Sequence, residues 1–379
     1  MTTTDTRTGE LWLLADDVEE DLRASVRAVL EKHCPPEPVT ACYDGDHDVA
    51  APAWSALARD LGLAGLLVPD EYGGAGASAR EAAVVAEEIG RCAAPVPFLT
   101  SAVAATATLV ALGGDAAGDL LGRLAQGDET AALLLPATAR SVTGHALDAD
   151  GDALAGSVRN VVGVDGGVPA DVLLVPVRSD HGITLHAVPA SDPRVTITDV
   201  VSLDMTRPVA DVVLDGIVPT ALSAEDATAA VDHGLRVAAG LLAAEQVGVA
   251  SWCLETTVAY LKERKQFGRA VGGFQALKHR LADLYAEVES ARAAARYAAA
   301  TLATDDADLP VAVAVAQAYC SDVAVHAAQE AVQLHGGIGM TWEHPAHLAL
   351  KRAKADQLLL GLPEQHRADL AGLVDLPPA

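Results

Sequence analysis

The chain has 379 residues, enough for two or three domains around a large core. Apolar residues make up 51% of it and aromatics only 3%, an Ala-rich balance that favours close helix packing over thick β-cores. With 26 basic against 52 acidic residues the formal charge is −26, which disfavours a nucleic-acid-binding surface and docking on anionic lipid.

Residues 1–129 read as an N-terminal all-α domain. Apolar residues recur at helical spacing over 11–32, 53–61, 79–91 and 99–112, each stretch followed closely by Gly or Pro. Residues 65–76 run into Pro69 and a glycine cluster and read as a tight structural turn without chemistry. The pattern changes near Thr130. Short runs at 131–135, 171–177, 183–188, 195–201 and 209–214, separated by Gly, Asp or Pro, predict a central β domain of sandwich or barrel type over 130–222. Helical periodicity returns and covers 224–263, 273–303, 308–335 and 342–360. Asp308 with Pro310 makes a helix start, and Gly336 with Gly337 a stop. Residues 223–379 therefore form a C-terminal four-helix bundle, and the fold class is α+β.

Cys34, Cys42, Cys92, Cys253 and Cys320 are scattered and form no CxxC pair, so neither a disulfide framework nor a zinc site is indicated. His335, His344 and His347 lie close together, but no Cys or carboxylate completes a ligand set, and no metal is expected. The first residues lack a basic segment followed by an apolar one, and no run of 18 apolar residues occurs. The chain reads as a soluble cytoplasmic protein.

Two stretches carry chemistry. Residues 264–275 (Arg-Lys-Gln-Phe-Gly-Arg-Ala-Val-Gly-Gly-Phe-Gln) and 333–340 (Gln-Leu-His-Gly-Gly-Ile-Gly-Met) each sit where one long helix hands over to the next. Each combines a polar side chain able to grip a phosphate or amide edge with glycines that let backbone approach a ligand. Taken alone, Arg264 is a solvated cation at a helix end, and Gly336, Gly337 and Gly339 are a helix stop. These glycines are not a dinucleotide fingerprint, because no strand precedes them and no helix opens directly from the last.

Together, in this order and within a helical, β, helical architecture spanning the whole chain, the two stretches resemble the acyl-CoA dehydrogenase family. The resemblance implies FAD bound between subunits, in a homo- or hetero-oligomer such as a dimer of dimers. Arg264, Phe267 and Gln275 match positions that reach the ADP half of a FAD held mainly by a neighbouring chain. Gln333, Gly336 and Gly337 match its adenine and ribose side. Arg suits pyrophosphate because its guanidinium is a planar fork. The implied reaction is α,β-desaturation of an acyl-CoA: a carboxylate takes the α-proton and the β-hydrogen leaves as hydride to flavin N5. The electrons then pass to an electron-transfer flavoprotein or similar acceptor. His335 and residues 341–345 look most like the branch in which two different chains assemble.

The chain departs from the pattern at the reacting centre. Leu360 stands where most members carry the Glu base, and the position on the first bundle helix used by a minority falls at Ala238. Neither accepts a proton. Glu245, within the apolar run 243–248, is the leading substitute. Asp356 and Glu364, four residues either side of Leu360, are the others. Each of the three also reads as surface charge or an internal ion pair. The family's hydroxyl-bearing flavin cradle is replaced by Leu-Leu-Leu-Pro-Ala-Thr at 133–138. Thr138, Ser141 and Thr143 are the nearby hydroxyls, and Thr138 is the candidate cofactor contact. Residues 202–207 keep the look of the family's sheet exit, while its CoA-binding pattern survives only loosely in Asp232 and Arg236. Three functions follow from the resemblance: a FAD-dependent acyl-CoA dehydrogenase or a chain of one, a non-catalytic partner completing a related chain's FAD site, or an oxygen-using flavoenzyme on the same fold.

Overall fold

The computed structural model describes residues 11–150, 153–180 and 182–376. The N-terminal part contains α1 (Asp17–His33), α2 (Pro36–Ala41), α3 (Ala50–Ser55) and α4 (Ala79–Cys92). A wide helical stretch, Phe98–Ala105, then runs into α5 (Thr106–Leu112), and α6 (Asp115–Ala125) follows. Capping boxes set two starts: Asp16 with Glu19 opens α1, and Ser78 with Glu81 opens α4. The periodicity beginning at Leu11 therefore becomes helix only at Asp17. Periodicity also passed over α6, because Gly118 and Gly122 dilute its apolar stripe. Gly118 is there so that the Tyr72 ring can lie against the helix.

The central part holds β1 (Ala131–Leu133), β2 (Ala149–Asp150), β3 (Ala153–Val162), β4 (Val172–Ser179), β5 (Gly182–Pro189), β6 (Val195–Val200), β7 (Val209–Ile217) and β8 (Thr220–Ala221). They make two four-stranded sheets, ordered β1-β4-β5-β8 and β2-β3-β7-β6, with β1 parallel to β4. Leu154, Val161 and Val212 of one sheet pack with Leu173, Val175 and Val188 of the other, so the sheets share one core. The sequence reading missed β3, because Gly156, Arg159 and Asn160 break its alternation. The strand is bulged there, and Asn160 adopts a left-handed φ of 54°.

The C-terminal part consists of α7 (Thr228–Glu263), the short strands β9 (Lys265–Gln266) and β10 (Arg269–Ala270), α8 (Gln275–Thr304), α9 (Leu309–His335), a 3-10 turn Gly336–Met340, α10 (Ala346–Leu358) and α11 (Pro363–Leu373). The single helix expected over 342–360 is instead α10, a corner and α11. Leu360 (φ 58°) and Gly361 (φ 105°) make the corner, and Pro363 starts the next helix. Both α7 and α9 are long and apolar enough to cross a membrane, but 94% and 72% of their most apolar windows are buried inside the fold. They are core helices. α7 also packs backbone-close against α4: a Cβ on Gly90 would overlap the carbonyl oxygen of Glu245, and one on Gly248 that of Glu87. This seam joins the N-terminal helices to the bundle and explains why both helices are so rich in small residues.

Candidate functional site

Three constellations lie along α7. The first is at the end of the bundle where α7 and α9 finish and α8 begins. Lys265–Gln266 and Arg269–Ala270 pair as a minimal hairpin around Phe267 and Gly268, whose φ values are 52° and 74°. Two left-handed residues in a two-residue loop suit a hairpin, but a left-handed Phe is uncommon, and this one is 91% exposed. Phe274 props it edge-on at 6.1 Å and also carries the Arg269 guanidinium 3.9 Å above its ring. Arg264 caps α7 and Gln275 opens α8, and both are exposed. Tyr260 stacks 4.5 Å from His335, which ties the end of α7 to the end of α9. Gln333, Gly336 and Gly337 are exposed at that end, and Gly337 has open space around its Cα. Among the described residues, the side chains of Arg264, Gln275 and Gln333 have no hydrogen-bond or ion-pair partner. The fold thus brings the six adenylate-side candidates of the sequence to one end of the bundle, with their polar groups uncommitted. Such a set suits an anionic, amide-bearing ligand arriving from outside the chain.

The second constellation is a cleft near the other end of α7. It is small, about 40 Å³, and is lined by residues that include Leu99, Thr100, Leu133, Leu135, Ala238 and Leu360. Leu360 and Ala238, the two positions at which a base was sought, therefore face the same space. No ionisable side chain lines it, and Thr100 is its single hydroxyl. The corner at Leu360 is pinned from three sides. Its N–H donates to the Ala137 carbonyl (2.9 Å), its carbonyl accepts from His366 Nε2 (3.0 Å), and the Arg140 side chain lies across Gly361 on its way to Asp369. Thr138 is exposed on the adjoining loop, away from Arg264 and Gln333. Asp232 holds that loop, accepting from Ser141 Oγ (3.0 Å) and the Val142 N–H (2.7 Å), while Arg236 is exposed.

The third constellation places Glu245, the candidate base, inside a buried ion-pair cluster. Glu245 is 1% exposed and gripped by two arginines: Arg207 Nη2 at 2.5 and 2.7 Å, and Arg352 Nη1 at 2.6 Å. A carboxylate so clamped has no free oxygen edge for a substrate proton, and the cleft wall does not include it. Asp356 is likewise buried and paired with Arg207. Glu364 is exposed in the first turn of α11, where it complements the helix dipole. Glu245 thus sits in an internal ion pair, Asp356 is a buried acid that accepts from Arg207, and Glu364 is a surface charge. Arg352, 1% exposed, is the hub. It also donates to Asp204 Oδ2 (2.7 Å), to Thr206 and to the carbonyls of Ala93 and Ala94. It therefore joins α4, the 204–206 loop, α7 and α10. The Arg352 guanidinium holds Asp204 below the usual carboxylate range against the opposing effect of burial, whereas burial pushes Asp356 up to about 8. The sequence reading did not find this lock. Its one signal was a lone Arg within the apolar face of a helix.

His335, His344 and His347 form stacks instead of a ligand set. His335 Nδ1 donates to the Ala331 carbonyl, its ring lies 4.1 Å from that of His344, and His347 packs on Trp342. Among the described residues, no three His, Cys, Asp or Glu side chains converge as metal ligands would.

Known proteins share this fold. The N-terminal domain profile of acyl-CoA dehydrogenases matches residues 16–128, and the C-terminal domain profile matches 228–373. The chain belongs to the acyl-CoA dehydrogenase family of flavoprotein oxidoreductases. It is 37% identical to acyl-CoA dehydrogenase IpdE2 of Mycolicibacterium smegmatis, over 91% of this chain and 95% of that one. Among solved structures it resembles the steroid acyl-CoA dehydrogenase Tcur3481-Tcur3483, with a TM-score of 0.80 and 29% identity over 95% of this chain and 98% of that one. It also resembles the ChsE4-ChsE5 complex of Mycobacterium tuberculosis, with a TM-score of 0.84 and 25% identity over 97% of this chain and all of that one. The protein is an acyl-CoA dehydrogenase, acting on CH–CH bonds, or a chain of one.

Proposed function

We propose that this chain is the non-catalytic member of a heteromeric acyl-CoA dehydrogenase and lends its bundle end to the FAD of a related chain. The observation that carries the reading is a separation. Ala238 at the cleft and Arg264 at the bundle end lie about 26 residues apart along α7, roughly 40 Å at about 1.5 Å per residue. One extended flavin dinucleotide does not span both, so the uncommitted groups at the bundle end fit a cofactor whose ring system lies in another protomer. Arg264 then offers its fork to the pyrophosphate, Phe267 and Gln275 flank the ADP half, and Gln333 with Gly336 and Gly337 meets the adenine and ribose. Bound flavin supplies the two-electron acceptor, and the partner chain supplies the carboxylate that this chain lacks. The stretch 133–138 replaces the family's hydroxyl-bearing cradle, with Leu133 and Leu135 at the cleft wall, so Thr138 remains a peripheral contact at most.

Two of the solved relatives carry two-chain names, which supports the heteromer, and one is called a steroid enzyme, which supports a bulky acyl-CoA as the complex's substrate. An electron-transfer flavoprotein or similar acceptor would take the electrons. The test is to purify the chain alone and with a co-expressed family member carrying a Glu at the position of Leu360. Visible flavin absorbance and acyl-CoA oxidation are expected only in the complex, and Arg264→Ala in this chain should lower the flavin content of the complex. Full flavin occupancy and turnover by this chain alone would reject the proposal.

A further inference from the structure

A separate cavity lies where the N-terminal helices meet the bundle, enclosed by α1, α4, α7, α8 and the segment before α1. Its volume is about 40 Å³, and it opens to solvent. Four arginines line it, Arg23, Arg80, Arg292 and Arg296, against two carboxylates, Glu19 and Glu87. Arg23 and Arg292 also reach Glu20, Glu88 and Glu289 just beyond the lining, so three of the four arginines are ion-paired and Arg296 is the one left over among the described residues. The wall carboxylates are also fully engaged. Glu19 accepts from Arg80 Nε (2.7 Å) through one oxygen and from the Asp16 N–H (3.0 Å) through the other. Glu87 accepts from Arg23 (2.9 Å) through one oxygen and from Arg292 through the other. Glu88, behind Arg23, is shared with Arg27. Arg296 is half-buried and, among the described residues, has no hydrogen-bond or ion-pair partner. Its donors face a cavity floored by Ala83, Ala244, Ala295 and Ala299, with no acceptor left in the walls.

We propose that this cavity binds a small oxyanion, of the size of phosphate or a short carboxylate, with Arg296 as its principal ligand. The anion gives Arg296 the counter-charge it lacks among the described residues and bridges the N-terminal helices to α8, so binding stabilises the native packing. The test is a thermal-unfolding titration of the purified chain, alone and in complex with its partner. Inorganic phosphate and sodium acetate are added in separate arms, each against chloride at equal ionic strength. A saturable rise in Tm beyond the chloride control supports the proposal, and whichever arm shows it identifies the ligand as a tetrahedral oxyanion or a carboxylate. Arg296→Gln should weaken the response roughly tenfold or more. The same change at the exposed Arg159 should leave the response intact. Because Arg296 has no partner to orphan, its variant should keep the wild-type Tm in chloride. Equal responses in wild type and Arg296→Gln, or no response beyond chloride in either arm, would overturn the proposal.

Discussion

Replacing Asp356 by Asn should remove an alkaline weakness from the fold. The lock contains two guanidiniums, Arg207 and Arg352, and three carboxylates, Asp204, Glu245 and Asp356. Asp356 is fully buried. One of its oxygens accepts from Arg207, while Oδ2 has no partner. An anionic oxygen left there without a donor is costly, so burial raises this group from 3.8 to about 8. The folded chain therefore keeps a proton that the unfolded chain sheds near pH 4. With the folded value above the unfolded one, the stabilising contribution is fully present below about pH 4 and is lost as pH rises through about 8. At about 1.4 kcal/mol per pH unit the whole window amounts to about 6 kcal/mol, of which a little under half falls between about pH 6 and 8. Asn mimics the protonated acid: it keeps an acceptor for Arg207 and places an N–H where Oδ2 stands. Gln246 donates to the Asp356 carbonyl at 3.3 Å, and its own Oε1 has no partner, so a receiver for that N–H lies close by. Urea unfolding followed by circular dichroism at mildly acidic and mildly alkaline pH is the assay. The variant should match wild type in acid and exceed it by about 2 kcal/mol near pH 8. A variant weakened equally at both pH values would refute the buried proton.

Three further outcomes follow from the same geometry. Arg352→Met leaves Asp204 and Glu245 buried without their hub and should cost about 3–5 kcal/mol in urea unfolding; a loss below about 1 kcal/mol would show that Arg207 alone holds the lock. Gly248→Ala drives a methyl into the Glu87 carbonyl and should cost several times the roughly 1 kcal/mol scale of an ordinary substitution, whereas Gly372→Ala, with open space around it, should change stability by no more than about 0.5 kcal/mol. Leu360→Glu puts a carboxylate between the apolar cleft and an adjoining pocket that holds Arg140 and Arg236, and should lower Tm through lost apolar burial without creating acyl-CoA oxidation by the lone chain; activity in that assay would mean that the cleft is otherwise competent.

The order of helical, β and helical segments was legible because long apolar periodicities and short alternating runs differ over tens of residues. The bundle-end motifs were legible because glycines and polar residues interrupt helices there. Two kinds of information were not. Local breaks hid elements: the glycines within α6, the bulge at Asn160 in β3, and the corner at Leu360, where a Leu takes a conformation normally left to Gly. Long-range pairing hid roles. Glu245 looked like a base because one charge in an apolar run demands a reason, and that reason, Arg207 and Arg352, lies 38 residues before it and 107 after. No local pattern encodes such a partner. Leu360 and Ala238, far apart in the chain, line one cleft, a meeting that no local pattern announces.

The corner at Leu360 bears on why a cleft without a base keeps its shape. A left-handed conformation costs a non-glycine residue about 1–2 kcal/mol. The strain persists because other contacts determine it. The Ala137 carbonyl and His366 hold both sides of the Leu360 peptide, and Arg140 needs Gly361 bare in order to reach Asp369 on α11. Relaxing the corner would therefore unseat α11 and release the loop after β1 from the bundle. Leu360 itself is 8% exposed, and its burial among Leu99, Leu133 and Leu135 offsets the strain, since burying a Leu side chain contributes about 1.5–3 kcal/mol. A carboxylate at this position would forfeit that burial unless substrate and flavin gave it a purpose. On this chain the apolar residue is the stable solution. The corner is kept as a joint between domains, which is what a chain needs if its task is to hold the bundle end rigid for a neighbour's cofactor.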